Sequence, residues 1–174
     1  MSFELRIAKF LYRKGNKEPL HKLYRKKGAK IGNNCNLCTH LPLNEIYLIE
    51  IGDNTVLSYG INFVTHDASY GAVINKKYID LYGKIIIGKN CFVGAGSTLM
   101  YGIELGDNTI VAAGSVVTKS FKEGNIVIGG NPAKVICTTE DFLNKYKDKL
   151  IDTKCCSFEQ KRDRVLASKN LINK

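Results

Sequence analysis

Residues 87–118 read IGKNCFVGAGSTLMYGIELGDNTIVAAGSVVT. In steps of six this stretch gives Ile87, Val93, Leu99, Leu105, Val111 and Val117, aliphatic at every step. The residue after each is Gly88, Gly94, Met100, Gly106, Ala112 or Thr118. Four places on come Cys91, Ser97, Ile103, Thr109 and Ser115, again mostly small. A helix needs apolar residues about every 3.6 positions and a half-buried strand every second. A strict period of six suits neither as one long element. It suits a chain that makes a short strand, turns, and makes another, which is the mark of a hexapeptide-repeat parallel β-helix.

In that all-β architecture each six-residue unit forms one face of a triangular coil. The aliphatic side chain points inward, and the small residue fits beside it. Glycine gives corners their backbone freedom. Strands pair with the coils above and below. One coil cannot enclose a core, so several must stack. The hand of the coil does not follow from the periodicity, although parallel crossovers are normally right-handed.

Working outward, the same phase begins at Ile31-Gly32-Asn33-Asn34-Cys35 and drifts through Leu41-Pro42-Leu43-Asn44. It resumes at Ile51-Gly52-Asp53-Asn54-Thr55 and runs through Leu57 and Phe63. It stops again at Thr65-His66-Asp67. Residues 67–84 keep no sixfold phase and read as an excursion from the prism, a place where function concentrates. After the repeats, residues 125–136 read as strand, tight Gly129-Gly130 turn and strand. Residues 139–152 read as a helix with Thr139 as N-cap and Phe142, Tyr146 and Leu150 on one face. The charged end beyond Cys155 reads as a short helix or a frayed terminus. Residues 1–28 read as two helical pieces broken at Gly15-Asn16 and Pro19, with Phe3, Ile7, Phe10 and Leu11 in helical spacing. The domain reading is a basic arm over 1–30, the repeat body over 31–136 and a helical tail over 137–174.

The net charge of +10 is unevenly placed. Residues 1–30 carry ten bases against two acids, residues 31–136 seven against eight, and residues 137–174 nine against six. The basic arm suits a solvated helix face, a cap on the open end of the prism, an acidic glycan or weak association with an anionic membrane surface. Aromatics do not alternate with its bases as a stacking platform requires, which disfavours nucleic acid. The N-terminus lacks the apolar core of a signal peptide, so a cytoplasmic protein is expected. Among six cysteines, Cys35 and Cys38 form a C-x-x-C, yet Cys35 occupies the small-filler slot of Cys91. No second pair completes a metal site, and no disulfide framework is implied.

The histidines are His21, His40 and His66. His21 lies in the basic arm, where a surface position is expected. His66 stands where the repeat breaks into the excursion. A histidine there either satisfies a turn or serves as a general base, the usual task of imidazole near neutral pH.

Several motifs then converge. They are the Ile-Gly-Asp-Asn-Thr unit at 51–55 with Leu-Gly-Asp-Asn-Thr at 105–109, Thr65-His66-Asp67 before an excursion, Ala112-Ala113-Gly114-Ser115-Val116-Val117-Thr118-Lys119, and Gly130-Asn131-Pro132-Ala133-Lys134-Val135-Ile136. With them residues 31–136 resemble the hexapeptide-repeat acyltransferases, the left-handed β-helix family of the maltose, galactoside, serine and xenobiotic acetyltransferases. The resemblance implies a left-handed prism, acetyl-CoA as acyl donor without a metal, and His66 as the base that deprotonates an acceptor hydroxyl. It places Ala95 and Ala113 along the pantetheine arm, and Thr118, Lys119 and Lys134 near the adenosine phosphates. It also implies a homotrimer with each site between neighbouring prisms. The Thr-His-Asp context most resembles enzymes acting on sugars or surface polysaccharide, with His40, Asp67 and Tyr70 as candidate acceptor contacts. The family's acceptor-holding asparagine has no clear match, because residues 37–46 are off pattern; His40 or Asn44 is the candidate for that region. The leading expectation is an O-acetyltransferase acting on a carbohydrate. The alternatives are an N-acetyltransferase of a nucleotide-linked amino sugar, a zinc hydratase, which would need three histidines where the body has two, and a non-catalytic scaffold.

Overall fold

The computed structural model describes residues 3–172. They divide into one unit over Met1–Thr139 and a second over Glu140–Lys174.

The first unit is a parallel β-helix with three faces. The first face stacks Lys30–Ile31, Ile49–Ile51, Ile85–Ile87 and Ile103–Leu105. The second stacks Asn36–Leu37, Val56–Leu57, Phe92–Val93, Ile110–Val111 and Ile126–Gly130, and the third Asn62–Phe63, Thr98–Leu99 and Val116–Val117. All these pairs are parallel, and the register keeps the aliphatics in columns. Ile31, Ile51, Ile87 and Leu105 form one, Leu37, Leu57, Val93, Val111 and Ile128 a second, and Phe63, Leu99 and Val117 a third. Apart from the half-buried Phe63, these side chains are buried. At roughly 1.5–3 kcal/mol for each large aliphatic removed from water, the columns are the main stabilising term.

Ile103, the exception among the small residues, has a structural reason. Beyond Lys30–Ile31 the first face carries three-residue strands with two inward positions, so Ile85 precedes Ile87 and Ile103 precedes Leu105 in the core. The remaining small slots are buried and satisfied. The Thr55 hydroxyl donates to the Gly88 carbonyl (2.8 Å), Thr109 to Gly106 (2.7 Å) and Ser97 to Gly94 (2.8 Å). Gly94 must lack a side chain, because a Cβ there would lie 2.4 Å from the Ala113 nitrogen in the next coil.

The corner between the first and second faces is built by a ladder of asparagines. Asn34, Asn54, Asn90, Asn108 and Asn125 all take left-handed backbone conformations, which asparagine tolerates better than most residues. Each of the first four side-chain amides donates to the next residue's oxygen, at 3.3, 3.2, 3.2 and 2.8 Å. Asn90→Ala removes two of these bonds and leaves a Cβ-bearing residue without side-chain compensation at a φ of 54°. The expected loss is about 1–2 kcal/mol in urea unfolding, with Asn90→Gly losing less.

Two helices cover the open end, α1 (Phe3–Arg13) and α2 (Glu18–Lys26). Leu20, Leu23 and Tyr24 of α2 join the prism core. Arg25 donates to the Ile31 and Gly32 carbonyls at 2.8 and 2.9 Å and pairs with Glu18 at 3.1 Å. The side chain of Phe3 lies outside the described residues. His21 corrects the expectation of a surface position. It is 4% exposed, and burial, then the nearby Arg25 charge, pushes its pKa down.

The turn near the end of the prism also differs from the expectation. Gly129 and Gly130 lie within the strand Ile126–Gly130, and the chain reverses at Asn131-Pro132 into the antiparallel strand Ala133–Thr138.

The excursion is ordered. His66–Asp67 pairs antiparallel with Leu81–Tyr82, and between them lies the short helix α3 (Ser69–Val73). Helix α4 spans Thr139–Tyr146, shorter than expected. Thr139 is its first residue and donates its hydroxyl to the Asn108 carbonyl (2.7 Å). The Phe142 and Tyr146 rings stand 4.9 Å apart, while Leu150 falls past a 3₁₀ turn over Lys147–Lys149 and is exposed. Helix α5 (Phe158–Leu166) starts at a capping box made by Ser157 and Gln160.

Candidate active site

His66 stands at the corner where the third face turns toward the first. The last paired residues of that face lead through Val64 and Thr65, and Val64 is tied to the coil above by its N–H on the Leu99 carbonyl (2.9 Å). Thr65 is buried, whereas the His66 side chain is 44% exposed, so the imidazole is held by its neighbours yet open to solvent.

The principal partner of His66 is a residue the sequence did not reveal. Oε2 of Glu45 lies 3.5 Å from Nδ1 of His66 and accepts the Thr65 hydroxyl at 3.1 Å. The Glu45 side chain is only 17% exposed. A carboxylate against Nδ1 favours the tautomer with its proton there, leaving Nε2 to accept one. A quieter signal exists in the numbering. Ile31 pairs with Ile51 and Asn36 with Val56, a spacing of twenty between the first two coils, and Glu45 precedes Thr65 by the same twenty.

The Tyr82 ring packs 5.7 Å from the imidazole, tilted by 36°. Asp67 anchors the other side. Its Oδ1 accepts the Ser69 N–H (2.8 Å) and its Oδ2 the Tyr101 hydroxyl (3.1 Å). These bonds, the Ser69 N–H first, hold the Asp67 carboxyl below its usual pKa, and the same bond to Asp67 pushes the Tyr101 hydroxyl up. Tyr70 lies in α3 and is exposed.

The other singled-out residues occupy further positions around the prism. Ala95 and Ala113 stack at the corner between the second and third faces, where the Gly114 N–H donates to the Ala95 carbonyl (2.8 Å). Both alanines are exposed, and their small side chains leave the backbone of this corner accessible. By register His40 belongs to this same corner, in the first coil, beside a cavity of about 410 Å³ shared with Tyr12, Leu20 and Tyr59. Within one chain, therefore, His40 and His66 stand at opposite ends of the third face. Thr118 and Lys119 follow Val117 at the His66 corner, two coils further on, and the Lys119 ammonium lies 5.4 Å from the Phe121 ring centre. Lys134 is exposed on the hairpin strand, opposite Gly129. Asn44 is exposed beside Glu45.

Among the described residues, no group of three or more His, Cys, Asp or Glu side chains gathers as metal ligands. Cys35 is buried, Cys38 half-buried, and both are free thiols.

Residues 84–119 match the hexapeptide repeat of succinyl-transferase. The chain is similar to protein CapG of Staphylococcus aureus, at 38% identity over 79% of this chain and 82% of that protein. It is also similar to the galactoside O-acetyltransferase of Escherichia coli K12, at 31% identity over 67% of this chain and 57% of that one. Among solved structures, a hexapeptide-repeat acetyltransferase from Vibrio cholerae O1 biovar eltor, complexed with acetyl coenzyme A, shares the fold. Its TM-score is 0.55 at 18% identity, covering 72% of this chain and 77% of that one. The three-faced prism and the breadth of the CapG match carry the same conclusion: the chain belongs to the hexapeptide-repeat acyltransferase family.

Proposed function

We propose that the chain is an acetyl-CoA-dependent O-acetyltransferase acting on a carbohydrate hydroxyl, a capsule or surface-polysaccharide unit or its sugar precursor, in the cytoplasm. The prism is read as left-handed and the working unit as a homotrimer. The observation that carries the reading is the Glu45–His66 pair on an accessible corner of a hexapeptide prism. The donor is supported by the acetyl coenzyme A complex of the Vibrio structure. The acceptor class is supported by the galactoside O-acetyltransferase relative.

In this reading Nε2 of His66 takes the proton of the acceptor hydroxyl. The acceptor oxygen attacks the thioester carbonyl carbon, and backbone N–H groups steady the oxyanion. Collapse breaks the carbon–sulfur bond, and His66 returns its proton to the departing thiolate. No covalent enzyme intermediate forms. Glu45 fixes the imidazole ring and offsets the charge it gains. Ala95 and Ala113 border the pantetheine arm, Thr118, Lys119 and Lys134 meet the phosphates, and Asp67, Tyr70 and His40 face the acceptor.

The test is thiol release from acetyl-CoA across monosaccharides, nucleotide sugars and oligosaccharides, with the acetylated product identified by mass spectrometry. An ester on a sugar hydroxyl is expected. An amide on an amino sugar would replace this reading with N-acetylation, and turnover of none of them would reject it.

Glu45→Gln separates positioning from binding. It is expected to lower kcat at least about tenfold while KM changes by less than about threefold. A change confined to KM would remove Glu45 from this role.

A further inference from the structure

The basic arm has no task in the chemistry above. Its first helix, α1, is amphipathic in an unusual sense. Ala8 is buried, and Leu11 and Tyr12 are half-buried on the side that faces the protein, where the Tyr12 hydroxyl donates to the Leu37 carbonyl. The opposite face presents Arg6, Ile7, Phe10 and Lys14, all exposed. Helical geometry places these four within an arc of about 100°. Phe10 is 59% and Ile7 44% exposed, and the Lys14 ammonium stands 5.9 Å from the Phe10 ring centre. Lys22 of α2 and Lys27 just beyond it are exposed too. These groups lie within a segment of net charge +8, beside a repeat body that is nearly neutral.

We propose that the exposed face of α1 docks the protein on an anionic membrane surface. Lys and Arg contribute attraction to acidic headgroups, which fades within a Debye length. Phe10 and Ile7 enter the boundary between headgroups and acyl chains. A soluble polyanion would exploit the cations alone and leave two large apolar side chains in water. Among the described residues no helix is long and apolar enough to cross a membrane, so α1 lies on the surface. This inference is independent of the reading of His66.

The experiment is co-sedimentation of the full-length chain with vesicles at about 0.1 M salt, where the Debye length is about 10 Å. One set is phosphatidylcholine containing about one-third phosphatidylglycerol, a composition that supplies the acidic surface; the other is phosphatidylcholine alone. Binding to the acidic vesicles, little to the neutral ones and release at high salt are expected. Ile7→Ser with Phe10→Ser should weaken the acidic-vesicle binding at least about tenfold, since both side chains leave water on docking. Arg6→Glu with Lys14→Glu should abolish it. Circular dichroism and size-exclusion profiles of the variants should match the parent. Three vesicle results would overturn the proposal: no binding to acidic vesicles, equal binding to neutral ones, or undiminished binding by the serine variant. The last, accompanied by capture of dextran sulfate, would point to an acidic polysaccharide. A changed oligomeric state in the serine variant would point to a second copy of the chain as the occupant and would also overturn it.

Discussion

Replacing His66 with alanine is expected to lower kcat for acetyl transfer by between about 10² and 10⁴, the range that one positioned general base contributes. The fold should survive, because the imidazole is 44% exposed and the neighbouring Glu45 carboxylate keeps the Thr65 hydroxyl as a hydrogen-bond donor. Acetyl-CoA should still raise the melting temperature of the variant, since donor binding falls to Ala95, Ala113, Thr118, Lys119 and Lys134 in the proposed site. At about a hundredfold excess over Kd that stabilisation is about 2.7 kcal/mol. A variant that retains most of its kcat would show that the acceptor loses its proton elsewhere. A variant that loses donor binding as well would show that His66 holds the cosubstrate.

The largest effect on stability is expected from Leu99→Ala. Leu99 is fully buried in the third face, between Phe63 and Val117 in its column. Truncation removes its dispersion contacts and leaves a cavity that flanking coils, locked by their ladders, cannot close. The expected cost is about 2–5 kcal/mol, against a total stability of about 5–15 kcal/mol for a typical domain. Chemical denaturation measures it. The paired control is Phe92→Ala. Phe92 is 42% exposed on the outer side of the second face, and its loss should cost well under half as much. Equal costs at the two sites would contradict the assignment of the sixfold aliphatics to the interior.

The prism was legible because its core is written locally. A side chain pointing inward every six residues has no other explanation in a stretch without helical spacing, and Val93, Leu99, Leu105 and Val111 lie where the period puts them. Even the excursion keeps the count. Ile87 pairs with Ile51 thirty-six residues earlier, while Leu105 pairs with Ile87 at eighteen, so the looped-out insertion adds the residue count of one coil and the phase resumes unchanged.

Glu45 was not legible in the same way. It lies in the stretch around Pro42 where the period fails, and its value comes from a neighbour in the next coil, not from its own surroundings in sequence. His21 misled for a related reason. A histidine among lysines reads as surface, but its helix turns Leu20, Leu23 and Tyr24 inward and carries His21 with them. Spacing also says little about which corners share a site. Ala95 and His66 belong to consecutive coils, yet the structure sets them at opposite ends of the third face.

That separation makes assembly the decisive question. If neighbouring prisms form the site, the alanine corner of one copy must face the histidine corner of another. The most direct measurement is a crystal structure of the assembled protein with coenzyme A bound. The account predicts that the thiol lies within hydrogen-bonding reach of an imidazole Nε2 supplied by His66, in a groove between two copies, with the pantetheine arm along the backbone of Ala95 and Ala113. Coenzyme A bound away from those alanines, or His66 turned toward open solvent on the outside of the assembly, would contradict it.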